Sequence, residues 1–237
     1  MRINGSAAIF GAALMAGAAL FACTPPQPPV HAKAALKVIG QLDCPTRQGD
    51  LNLKSSSADG SACSYVDGAG SSVAFSLVKL NGADAASVLA PLEATLKSEL
   101  PEPAPRPSSS PGNGQTEINL PGIHIQAGDN GAANVAVGGV KVDASDNGDA
   151  QIAARGVHIN ANDAGAEIRV NEAGSGVRST FLLVSDKPGP GGLKCVGYEA
   201  RGPSSGPLVV AQMQCRGEDH GDLDRAIKQI LKKNVGS

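Results

Sequence analysis

The sequence predicts a mainly β protein with two helices, an α+β chain. Three observations lead there. Short apolar runs are separated by clusters of Gly, Asp and Ser, as in strands joined by turns. A strand–turn–strand unit recurs with a fixed period in the middle of the chain. Two stretches, one in each half, carry apolar residues at helical spacing. The expected architecture is two hairpin-plus-helix units flanking a short β repeat.

Composition narrows the partners. The net charge is −2, Trp is absent and aromatic residues make up 3% of the chain. Neither a basic footprint nor the stacking residues of a single-strand binder is present, so no nucleic-acid partner is expected. Such a chain must build its core from Val, Ile, Leu and Ala.

Residues 1–22 read as a targeting segment. Arg2 supplies positive charge, and residues 7–21 are almost wholly apolar and small. The run is shorter than the roughly 20 residues a spanning helix requires, and Thr24-Pro25-Pro26 ends it. Leu20-Phe21-Ala22-Cys23 resembles the lipobox of bacterial lipoproteins, although Phe21 departs from the small residues usual at its position. The resemblance covers only the start of the chain. It implies cleavage before Cys23, fatty acylation of that residue and, because Thr24 rather than Asp follows, sorting to the outer membrane. The membrane, reached through Cys23, is the expected partner, together with an envelope protein or polymer. Val30-His31-Ala32 offers the alternative of ordinary cleavage, which would release a periplasmic chain.

Residues 23–35 are expected to be a lipidated Cys followed by a Pro-rich tether, because Pro25, Pro26, Pro28 and Pro29 deny the backbone both helix and sheet. Residues 36–100 form a first module. Apolar runs at 36–42, 51–54 and 73–80 read as strands, and a helix is expected over 84–100. Val88, Leu89, Leu92 and Leu96 fall on one stripe of that helix. Residues 101–116, rich in Pro, Ser and Gly, read as a linker.

The β repeat occupies residues 117–171. Gly122-Ile123-His124-Ile125 recurs as Gly139-Val140-Lys141-Val142 and Gly156-Val157-His158-Ile159, a period of 17 residues, each copy followed by an Asp/Asn/Gly turn. Two folds satisfy the pattern. The units can stack as rungs of a small solenoid, or run as an antiparallel meander; stacking, which aligns like residues, is the first choice.

Residues 172–237 hold a strand at 178–185, a hairpin and a helix over 222–234. The hairpin turns about Ser204 and Ser205, which places Cys195 opposite Cys215. Cys44 and Cys63 then form the second disulfide by elimination, a pattern suited to an exported chain. In the last helix Asp222 and Asp224 open and Lys228, Lys232 and Lys233 close, the order that suits the helix dipole. A weaker echo links Cys63-Ser64-Tyr65 with Cys195-Val196-Gly197-Tyr198 and suggests a duplicated unit.

No catalytic constellation is visible, and a non-catalytic structural or interaction role is expected, with small-ligand or divalent-ion binding as the alternative. His124 and His158 take equivalent places in the first and third repeats, but two rungs put them roughly 9–10 Å apart with Lys141 between. They read as a solvated polar face. Residues 143–149 resemble half of a calcium loop, yet Ala154 stands where a bidentate Glu is required. His220 lies among Glu218, Asp219 and Asp222, which fits a helix cap. No metal or cofactor is expected.

Overall fold

The computed structural model describes residues 35–100, 116–120, 123–127, 133–137, 140–144, 150–154, 156–162, 165–172, 174–216 and 221–236. In chain order these form β1 (Arg47–Gln48), β2 (Leu51–Ser56), β3 (Ala62–Val66), β4 (Ser72–Val78) and α1 (Ala85–Glu99). Then follow β5 (Thr116–Leu120), β6 (Ile123–Ala127), β7 (Ala133–Val137), β8 (Val140–Ala144), β9 (Ala150–Ala154), β10 (Val157–Asn162) and β11 (Gly165–Asn171). The chain ends with β12 (Val177–Ser185), β13 (Cys195–Gly202), β14 (Leu208–Cys215) and α2 (Gly221–Val235).

Ten of the strands make one sheet in the order β1-β2-β3-β4-β14-β13-β12-β11-β10-β9, antiparallel at every pairing. The first four strands meander inward from one edge and the last six meander inward from the other. They meet where β4 pairs with β14, with Phe75 opposite Ala211. The remaining strands, β5 to β8, form a second antiparallel sheet.

This overturns the expectation of two hairpin-plus-helix units flanking a repeat. Standing alone, each unit would leave β4 or β14 as an unpaired apolar edge, a template for aggregation. Pairing the two strands with each other removes both edges. The third repeat strand, β10, pairs with β11, and β11 with β12, so the repeat runs into the C-terminal hairpin inside one sheet. A stacked solenoid is excluded too, because β6 to β8 and β9 to β11 pair antiparallel with their sequence neighbours. The supposed duplication also fails: Tyr65 packs on the α2 side of the sheet and Tyr198 on the α1 side.

The central strands explain why hydrophobic alternation is weak in this half of the sequence. β13 is buried along both faces, apart from a half-buried Arg201. Covered on both sides, such a strand reads as a continuous rather than an alternating run. On one face Leu89, Leu96 and Leu100 from α1 and its C-cap pack against Phe181, Leu183, Val196, Tyr198 and Val210. On the other, Leu223, Ile227, Ile230 and Leu231 of α2 join Val209, Ala211, Met213, Phe75 and Tyr65. β5 lies against α2.

Local chemistry sets the helix ends. Asp84 caps α1 by accepting from the Ser87 amide at 2.9 Å and the Ser87 hydroxyl at 2.6 Å. Pro91 sits inside α1, in its second turn. In α2, Asp222 and Asp224 occupy the first turn and Lys232 and Lys233 the last, as the sequence predicts.

Cys195 stands in register with Cys215, and the two are bonded, with Cα atoms 4.9 Å apart. Cys44 and Cys63 form the second disulfide, Cα to Cα 6.4 Å. One bond braces the hairpin at the sheet centre; the other ties residues 35–46 to β3. Tyr65 adds to that tie by donating its hydroxyl to the Pro45 carbonyl at 3.0 Å. Burial pushes the Tyr65 phenol up to about 12.

Candidate functional site

A groove of about 470 Å³ opens where two turns meet the start of α2. Its floor is apolar: Leu51, Leu223 and Ala226 are all buried. Its rim is polar, carrying Arg47, Asp50, Asn52, Asp67 and Asp222. An apolar floor with a few convergent polar groups is the usual form of a small-molecule site.

The rim is built by tight turns. Gly49, at φ +57°, reverses the chain between β1 and β2. The Arg47 guanidinium donates to the Gly49 carbonyl at 3.0 Å, and the Asn52 amide donates to the Asp50 carbonyl at 3.1 Å. Across the groove, Asp67 accepts from the amides of Ala69 and Ser71 at 2.9 and 2.8 Å and so fixes the β3–β4 turn. Asp222 pairs with Arg225. Two of the three carboxylates therefore already have partners, and the groove offers a mixed-charge rim suited to a polyhydroxy or amino-bearing molecule. Among the described residues no group of three or more His, Cys, Asp or Glu converges closely enough to hold a metal ion.

Two charge networks flank the core. Under α1, Glu93 accepts from the Tyr198 hydroxyl at 2.8 Å and pairs with Arg169. Arg169 also donates to Glu167 at 2.6 Å and lies 4.8 Å from the Phe181 ring centroid. Lys97 reaches Glu167 at 3.1 Å. Under α2, the Glu199 carboxylate is 5% exposed as a residue and accepts from Arg201 Nε at 2.8 Å. Lys228 Nζ lies 3.0 Å from Asp224 Oδ2. Burial raises both Glu199 and Asp224 from their ordinary values, with Arg201 and Lys228 opposing the rise. The first network ties α1 to the sheet, whereas the Glu199–Arg201 pair of the second lies within β13 and its Asp224–Lys228 pair within α2.

The residues singled out from sequence do not gather at this groove. Cys23, His220, Glu218 and Asp219 lie outside the described residues, as does the Asp146-Asn147-Gly148 turn. His124 falls on β6 of the second sheet and His158 on β10 of the first, so the two are not neighbours on one ladder. His158 is exposed, opposite Arg169 and Ala153. Sequence reading missed Arg47, Asp50, Asn52 and Asp67. Gly49-Asp50 and Asp67-Gly68 do signal turns, but nothing in a linear pattern says that those turns converge.

Among the described residues no helix is long and apolar enough to cross a membrane. The chain matches no known protein family, no characterised protein and no solved structure.

Proposed function

We propose that the chain is a lipoprotein of the bacterial envelope, anchored to the outer membrane by acylated Cys23, and that it acts by binding rather than by chemistry. The observation that carries this reading is the apolar segment at 7–21 ending in Leu20-Phe21-Ala22-Cys23. The two disulfides support it, because such bonds persist in oxidising compartments. In this reading the folded part is a platform braced against the envelope environment and offered to a protein or polymer partner.

The test is intact mass and membrane partitioning of the mature protein beside its Cys23→Ser variant. A diacyl mass increment on a chain starting at Cys23, lost in the variant, is the expected result. A soluble mature chain starting at Lys33 would overturn the anchor.

The groove at Arg47, Asp50 and Asp222 favours a second reading, a periplasmic protein that binds a small ligand. Thermal stabilisation by amino sugars or amino acids, abolished by Arg47→Ala with Asp50→Ala, would support it; no shift with any of these would count against it.

A further inference from the structure

The place where the folded part begins has a character of its own. Leu36 is buried beside Gly176, where an added Cβ would come within 3.1 Å of the Leu36 side chain. The next residue is stapled to the end of α2, since the Lys37 amide donates to the Val235 carbonyl at 2.9 Å. The chain leading back to Cys23 therefore departs beside the C-terminal turn of α2.

Around that departure point the surface is basic and apolar together. Lys37 and Lys232 are exposed and make no ion pair among the described residues. Lys233 is exposed and pairs with Asp43 at 3.0 Å, the one carboxylate in contact with this cluster among the described residues. Among the described residues Val38 is the one large apolar side chain that is exposed, at 70%. It follows Lys37 directly. A lone exposed Val is ordinary by itself; here it adjoins Lys37, whose amide is bonded to the end of the helix that carries Lys232 and Lys233.

We infer that Lys37, Val38, Lys232 and Lys233 form a membrane-docking face that lies on the anionic phospholipid surface to which Cys23 is anchored. The inference rests on the lipoprotein reading and adds an orientation to it. The fourteen residue steps from Cys23 to Lys37 limit the separation of Cys23 from this face to about 50 Å even when fully extended. The lipid thus keeps the lysines at high local concentration over headgroups. Juxtamembrane lysines are drawn to anionic leaflets, and an acyl anchor commonly acts together with such a patch. Docked this way, the end of α2 that bears the lysines meets the lipid. The groove, at the opposite end of the same helix, is held away from the membrane and open to the aqueous space.

The chain has no Trp, so Val38→Trp gives a single-indole reporter in the full mature protein. The acylated V38W protein is bound to vesicles of phosphatidylcholine with or without phosphatidylglycerol, and emission and quenching by brominated lipid are recorded. The expected result is a blue shift and several-fold stronger quenching on the anionic vesicles. Both are lost on Lys37→Gln, Lys232→Gln and Lys233→Gln together, and in high salt. An Ala69→Trp reporter at the groove end of the molecule is expected to stay unshifted and unquenched. If V38W co-sediments with anionic vesicles but its indole is unshifted, or if A69W is quenched equally, the docking face is wrong while the anchor stands. If the mature protein carries no acyl group, the anchor fails instead. The full chain with Cys23→Ser and V38W then decides the face alone: a blue shift on anionic vesicles keeps it, and none overturns it.

Discussion

Phe75 of β4 stands directly opposite Ala211 of β14, and this one pairing joins strands from the two ends of the chain into a single sheet. Both residues are buried, at 1% and 0% exposure. Phe75 also meets the Tyr65 ring edge-on at 5.7 Å between centroids. The small Ala leaves room for the large Phe under α2, so the seam is filled by complementary sizes.

Because the seam lies in the core, the two halves are expected to unfold together. Phe75→Ala should cost about 3–5 kcal/mol, the price of a large buried cavity. Denaturant unfolding of the wild type, followed by far-ultraviolet circular dichroism and by tyrosine fluorescence, should give one coincident transition. Two separate transitions would show that the halves are independent after all.

Gly197 is required by close approach. A Cβ there would lie 2.4 Å from the Phe181 carbonyl oxygen and 3.0 Å from the Leu182 side chain, inside a strand held on both sides. Gly197→Ala should destabilise by about 3 kcal/mol or more, at the upper end of overpacking costs. Gly68→Ala, with nothing within 4 Å, should change the melting temperature little. Equal effects of the two substitutions would contradict the packing described.

The buried Glu199 gives a pH signature. Its folded-state pKa is raised above the ordinary 4.5, chiefly by burial, so protonation favours the folded form. Its contribution is therefore fully present below 4.5 and is lost as pH rises through the folded value. Glu199→Gln removes this dependence. Melting temperatures of wild type and variant, measured from acid to neutral pH, should show the variant gaining relative to wild type as pH rises from 4.5. A gap independent of pH would mean that Glu199 does not titrate differently on folding.

The disulfide between Cys195 and Cys215 closes a loop with a sequence separation of 20. Replacing both residues with Ala should lower stability by about 3 kcal/mol, as loop-closure entropy returns to the unfolded chain. Denaturant midpoints under non-reducing conditions provide the check. A reduced wild type that matches the double variant would locate the effect in the bond itself.

The local pieces were legible in the linear pattern of residues. Val88, Leu89, Leu92 and Leu96 announced α1, and Leu223, Ala226, Ile227, Ile230 and Leu231 announced α2, whereas the capping role of Asp84 came from the structure. The turn at Ser204 and Ser205 set the register of Cys195 and Cys215. These depend on periodicity and on turn geometry, both of which act over a few residues. β3 was missed because Ala62, Cys63 and Ser64 are small and Tyr65 is its one large side chain. The pairing of β4 with β14, the placing of α1 and α2 on opposite faces of the sheet, and the meeting of the turns at Asp50 and Asp67 with Asp222 around a groove emerge only in the folded chain. Those outcomes depend on burying edges and faces that lie far apart in the chain. A strand's own residues state that it needs a neighbour, but not which one.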